Sequence, residues 1–155
     1  MKSRTMTGDN GTRTFVIALE PGEEMLPTLT AFADDNSVSG ASLTAIGAFK
    51  EANVSWFDFK TKDYRRIPVQ SQNEVLGAID DVAEYEVGNP GLHIHVVVGL
   101  SDGFTRGGHL LDGIVTPALE AILVETPKDL RRRRRLDLGI PVIDLDLTTF
   151  GSAPS

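Results

Sequence analysis

Every histidine of the chain falls in one short stretch, as His93, His95 and His109. His93 and His95 are spaced i, i+2. On a strand that spacing sends both imidazoles to one face, about 7 Å apart at the backbone. His109 returns after Ser101-Asp102-Gly103, which is hairpin chemistry. Neutral imidazole is a common metal ligand, and three imidazoles with an open fourth position form a known zinc arrangement. The same spacing also describes two polar residues on a solvent face. Register bears on the choice. A tight two-residue turn at Asp102-Gly103 sets His109 opposite Val96, on the wrong face. One extra residue, as a bulge at Gly107-Gly108, sets it opposite Val97 on the histidine face. A longer loop does the same.

Two further features carry charge where it matters. Glu120 interrupts the apolar run 117–124. It could orient a metal-bound histidine or serve as a general base, or it could be an outward-facing strand residue. Arg131–Arg135 is a five-residue basic run. It reads as a solvated or subunit-interface strand whose arginines alternate in direction and pair with acids such as Asp129 and Asp137. A nucleic-acid patch is the lesser reading. There is no Gly-x-Ser-x-Gly, no P-loop and no Gly-x-Gly-x-x-Gly after a strand, so acyl-transfer and nucleotide chemistry have no motif behind them.

The elements that must position these residues are mostly strands. Residues 1–12 are polar and read as a flexible N-terminal arm, ahead of a single domain over 13–150. RTFVIALE (13–20) is a strand, closed by Pro21-Gly22. Met25, Leu26, Leu29, Phe32 and Ala33 then fall at helical spacing, with Pro27 in the first turn, predicting a helix from Met25 to Asn36. Residues 39–49 and 52–59 read as two strands around Lys50-Glu51. The run 65–70 holds Pro68, which demotes it to an edge or a bulge. Strands follow at 73–79, 93–100, 104–111 and 116–125, and the tail from 131 to 147 ends in alternation. With no βαβ alternation, the pattern predicts an α+β domain. Its sheet is mainly antiparallel, with one helix packed on it.

Composition excludes several classes. The 155 residues carry 15 basic and 22 acidic side chains, a net charge of −7, and the isoelectric point is near 4.9. That balance opposes non-specific binding to DNA or to anionic membranes. With no cysteine there is no disulfide, thiolate ligand or cysteine nucleophile. No apolar run is long enough to span a bilayer, and Lys2 and Arg4 are followed by a polar stretch, so a cytoplasmic protein is expected.

Residues 92–125, LHIHVVVGLSDGFTRGGHLLDGIVTPALEAILVE, resemble the signature of the PPC (plants and prokaryotes conserved) domain family. That pattern is a histidine-rich strand, an acidic-Gly turn, Gly-Gly-His-Leu and a strand with an embedded Glu. Pro-Gly-Glu-Glu at 21–24, Ala-Ile-Gly-Ala at 45–48 and the basic strand before Asp137 are also similar. The likeness covers roughly residues 13 to 147. It implies a bent antiparallel sheet carrying one helix, and a homotrimer. It also implies that His93, His95 and His109 occupy metal-ligand positions, with zinc the expected ion. Plant relatives join the domain to AT-hook motifs with an Arg-Gly-Arg core, which this chain lacks. The expected function is a metal- or small-ligand-binding regulatory domain, its ligand a small anion. The alternatives are a zinc-dependent hydrolase or lyase and a DNA-associated regulator. Duplex DNA is not an expected partner of this chain alone.

Overall fold

The computed structural model describes residues 1–85, 90–126 and 129–146. The only helix among them, α1 (Met25–Asp35), buries Met25, Leu29, Phe32 and Ala33 on one stripe. Pro27 sits in its first turn, where its missing N–H has no intrahelical acceptor to lose. The stripe packs on the inner face of the sheet. Phe32 meets Phe15 edge-to-face, with ring centroids 5.2 Å apart.

The first sheet is set by alternation. Strand β2 (Arg13–Leu19) turns Phe15, Ile17 and Leu19 inward and leaves Val16 exposed. Fully burying each of these large apolar side chains contributes about 1.5–3 kcal/mol. Strand β1 (Lys2–Thr7) pairs antiparallel with β2, from Lys2 against Ala18 to Thr7 against Arg13. This corrects the expectation of a loose arm: every residue of β1 is exposed, so no apolar period marks it, and backbone pairing alone makes it a strand.

Two long strands organise the rest. Strand β3 (Gly40–Asp58) runs through Lys50-Glu51 without a break, and β8 (Thr105–Glu125) merges the two strands expected at 104–111 and 116–125. They pair antiparallel along nearly their whole length, with register shifts that bend both. On its other side β3 pairs first with β5 (Asn73–Glu84) and then with β4 (Asp63–Val69). Strand β4 ends the sheet order, which is the edge position that Pro68 requires. Strand β6 (Pro90–Gly91) adds two residues to β5. Strand β7 (His95–Gly99) pairs with both β5 and β8. The pairings β3–β8, β8–β7, β7–β5 and β5–β3 therefore close a ring within the bent sheet. The fold is α+β, mainly antiparallel, with one helix, as expected from the sequence.

The arginine run forms β9 (Arg132–Arg135), paired antiparallel with β10 (Ile140–Ile143) in a separate two-stranded sheet. The hairpin is tied to the main body. Glu84 N–H donates to Leu130 O at 2.7 Å, and Ser39 Oγ donates to Asp129 Oδ1 at 2.5 Å. Leu147 of the expected tail strand, and the domain end set at 150, lie outside the described residues. No helix among the described residues is long and apolar enough to cross a membrane.

Candidate metal centre

Register brings the histidines together. His95 of β7 lies directly opposite His109 of β8. The loop between the strands is closed by Leu100 N–H to Phe104 O at 2.8 Å and Gly103 N–H to Leu100 O at 2.9 Å. The longer loop, rather than a bulge at Gly107-Gly108, puts His109 on the histidine face. The β7–β8 ladder is regular from Gly99 opposite Thr105 to His95 opposite His109. The glycines serve a different need. A Cβ on Gly107 would lie 2.8 Å from Val96 O, and one on Gly108 would run into the carbonyl of Ser55. Gly108 also has φ of +152°. Strands β7 and β3 crowd β8 from both sides there, and only glycine lets them approach.

His93 lies just before β7, in a segment without regular structure. Its backbone N–H donates to Asp80 Oδ1 at 2.6 Å, which fixes where the ring leaves the chain. The three rings stand with centroids 4.9, 4.9 and 5.7 Å apart. One nitrogen from each lies within 4.8 Å of the other two. Nε2 of His93 and Nε2 of His95 are 3.3 Å apart. Two nitrogens held tetrahedrally on one zinc at about 2.0–2.1 Å sit about 3.3–3.4 Å apart. His109 also keeps a buried Nδ1 with no hydrogen-bond partner among the described residues. The donor set and its spacing fit a zinc ion.

Electrostatics favour the neutral form of His93 and His109, as ligation requires. Burial, then the charges of His93, His95 and Arg132, push the His109 pKa down to about 4. Burial also lowers His93, helped by Arg132 and His95 and opposed by Asp81. Tyr64 lies against His109, with ring centroids 5.1 Å apart, and His95 is exposed. The cluster is therefore walled on one side and open on another.

Glu120 is not part of this cluster. It is exposed on the outer face of β8, opposite Ala18 and Ile46. Four of the five arginines of the run face acids within the chain. Arg131 faces Glu84 at 3.6 Å, Arg132 pairs with Asp81, Arg133 with Asp144 at 2.8 Å and Arg135 with Asp137 at 2.7 Å.

Three residues beside the histidines escaped the sequence reading: Asp80, Asp81 and, as a site neighbour, Arg132. Asp80 is 4% exposed, and burial pushes its carboxyl up to about 7. The available signal was a pair of adjacent acids, Asp80-Asp81, directly after the apolar run 75–79.

The family model of the Plants and Prokaryotes Conserved (PCC) domain matches residues 6–127. The chain belongs to this family. Among solved structures, the PCC chain is similar to a candidate DNA-binding protein from Bacteroides thetaiotaomicron. That match has 25% identity and a TM-score of 0.84, over 93% of this chain and 98% of that one. It is also similar to a metal-containing protein from Archaeoglobus fulgidus, with 25% identity and a TM-score of 0.79, over 92% and 99% of the two chains. The bifunctional protein GlmU of a Synechococcus strain is 25% identical over 142 residues, 91% of this PCC chain. The chain spans 21% of that relative's length.

Proposed function

We propose that this PCC-domain protein is a homotrimeric, cytoplasmic, metal- and small-ligand-binding regulatory domain, and that His93, His95 and His109 hold its zinc. The observation that carries the reading is the convergence of three imidazoles, two of them at the nitrogen spacing of a zinc tetrahedron. The metal-containing relative supports it. Three protein ligands leave a coordination position, and exposed His95 puts it within reach of a small anion from solvent. The test is metal analysis of protein purified without added metal, followed by zinc titration of the chelated protein. One bound zinc per chain, lost in His109→Ala, is expected. No binding by the folded wild type overturns the reading.

The homotrimer is what the family resemblance implies, and an exposed apolar face supports self-association. Along one row of the sheet, Val16, Ile122, Thr44, Ile79 and His95 lie side by side on neighbouring strands. Val16, Ile122 and Ile79 are exposed there, as are Ile46, Leu76 and Val97 nearby. An apolar patch spread over several strands marks an interaction surface. The metal centre borders the same face.

A second reading is a metal-dependent hydrolase or lyase, favoured by the open side of the cluster. A zinc ion there would supply Lewis acidity to whatever fills its remaining position. The domain itself would hold and orient that ligand. Association with DNA, suggested by the Bacteroides relative, finds little support in this chain. Its net charge is −7, and four of the five clustered arginines already face an acid.

A further inference from the structure

We propose that Arg134 is the anion-binding residue of the three-histidine centre. Its guanidinium holds one carboxylate of a small two-ended acid, while the other end of that ligand fills the open position beside His95. The proposal deepens the metal- and small-ligand-binding reading of the cluster and rests on it.

Alternation along β9 sorts its arginines by face, because side chains two residues apart on a strand leave the same side. Arg133 and Arg135 share one side of the hairpin and face Asp144 and Asp137. Arg132 and Arg134 share the other. On that side Arg132 is 4% exposed, pairs with Asp81 and brings Nη2 to 3.5 Å from His93 Nδ1. The side that carries Arg134 is therefore the side turned toward the histidines.

The hairpin lies along the cluster and is fixed at both ends. Near its start, Arg132 meets Asp81 beside His93. At its tip, Lys62 Nζ donates to Leu136 O at 3.2 Å. A Cβ on Gly139 would lie 3.1 Å from Cβ of Lys62, so the turn is seated on that residue. Lys62 leads into β4, whose Tyr64 ring lies against His109 with centroids 5.1 Å apart. Strand β9 thus runs from the flank of His93 toward the flank of His109. Arg134 is midway between these two ties.

Arg134 is also exposed, and among the described residues it is the one arginine of the run that faces no acid. Its charge is free for a ligand. A guanidinium offers a planar fork of donors that matches a carboxylate with two parallel bonds. Arg132 and Arg134 stand about 7 Å apart at the backbone, and Arg132 is the one that touches His93. A ligand that reaches both the metal position and Arg134 therefore needs a second acidic group several ångström from the first. A simple monocarboxylate satisfies only one end. Arg134 lies beyond the span 6–127 matched by the family model, whereas the three histidines lie inside it. The residue that selects the ligand is supplied by the segment that follows the matched domain.

The test uses zinc-loaded protein of measured metal content, titrated by calorimetry with acetate, succinate and glutarate. Acetate probes the metal position alone, and the dicarboxylates reach Arg134 as well. The wild type should bind one dicarboxylate at least about 10-fold more tightly than acetate. Arg134→Gln should remove that preference, a loss of about 10–100-fold, as expected for a hydrogen-bonded charge. Its zinc and acetate affinities should be unchanged. Arg134→Lys should recover part of the loss. Arg133→Gln, on the other side of the hairpin, should keep the full preference. Equal affinities for acetate and both dicarboxylates in the zinc-loaded wild type, or a preference that survives Arg134→Gln, overturns the proposal. A wild type that takes up no zinc, but whose dicarboxylate binding is lost in Arg134→Gln, refutes the metal reading while the role of Arg134 stands. Uptake of neither zinc nor a dicarboxylate refutes both.

Discussion

Asp80 gives the sharpest test of the electrostatics around the site. Its side chain is 4% exposed. Oδ1 accepts the His93 N–H at 2.6 Å, while Oδ2 is buried without a partner among the described residues. Burial is the main reason its pKa rises from 3.8 to about 7, with the Asp81 charge adding to it and the His93 N–H opposing it. The folded state thus holds the proton more tightly than the unfolded chain. The resulting stability is fully present below about pH 3.8 and is lost as pH rises through about 7. A shift of about three units is worth about 4 kcal/mol in total, and about 3 kcal/mol of that disappears between about pH 5 and pH 8. Asp80→Asn removes the titration. The amide still accepts from His93, but its NH₂ takes the place of Oδ2 with nothing to receive it, a pH-independent cost of about 1–3 kcal/mol. Urea unfolding of chelated protein, at one protomer concentration, is the assay. The variant should be less stable than the wild type at about pH 5 and should equal or exceed it at about pH 8. Parallel stability profiles for the two proteins over that range would refute the reasoning.

In the metal-free protein, the His109 imidazole should stay neutral down to about pH 4, since burial lowers its pKa that far; a ring proton shift that titrates near pH 6.5, checked by NMR, contradicts this. Gly108→Ala should cost at least about 2 kcal/mol in chemical unfolding, because the backbone has positive φ and the new Cβ meets the Ser55 carbonyl. Ile79→Glu should turn the proposed trimer into a monomer of 16.8 kDa by light scattering without loss of the fold, because it puts a charge in the centre of the exposed apolar face; a wild type that is already a monomer, or an unchanged mass in the variant, would show that this face is not the contact. No sub-micromolar, salt-sensitive gel shift with duplex DNA is expected at about 150 mM salt, and one that vanishes when Arg131–Arg135 become alanine would overturn the argument from charge.

What the sequence shows depends on whether a signal is local. The helix was legible because Met25, Leu29, Phe32 and Ala33 repeat at 3.6 residues. Strand β2 was legible because it alternates. The length of β3 was not, because Lys50 and Glu51 are both exposed and two adjacent charges imitate a turn. The length of β8 was hidden by Asp112-Gly113, a pair that normally marks a turn. Strand β1 has no inward residue at all, so only its hydrogen bonds to β2 define it. The histidines were legible because two share a strand and the third follows one hairpin later. Asp81 and Arg132 are 51 residues apart. They meet only through the closed ring and the docked hairpin, which no local pattern encodes.

The site follows from how the sheet closes. His95 pairs with Ile79 on one side and with His109 on the other, so it lies on the strand that joins β5 to β8. Side chains alternate along a strand, so a shift of one residue in the β7–β8 register would send His109 to the opposite face. The Leu100–Phe104 loop sets that register. The crowding of β7 and β3 against Gly107 and Gly108 leaves no room for the ladder to slip or for a side chain to spread it. Asp80 and Asp81 are neighbours on β5, so their side chains leave opposite faces of the strand. Asp80 holds the His93 backbone from within the core at 2.6 Å, while Asp81 stands on the other face, 3.9 Å from the His93 ring and paired with Arg132. The same strand that closes the ring therefore grips the one histidine that lies outside regular structure. That backbone hydrogen bond sets where a residue ahead of β7 leaves the chain, as the ladder does for His95 and His109.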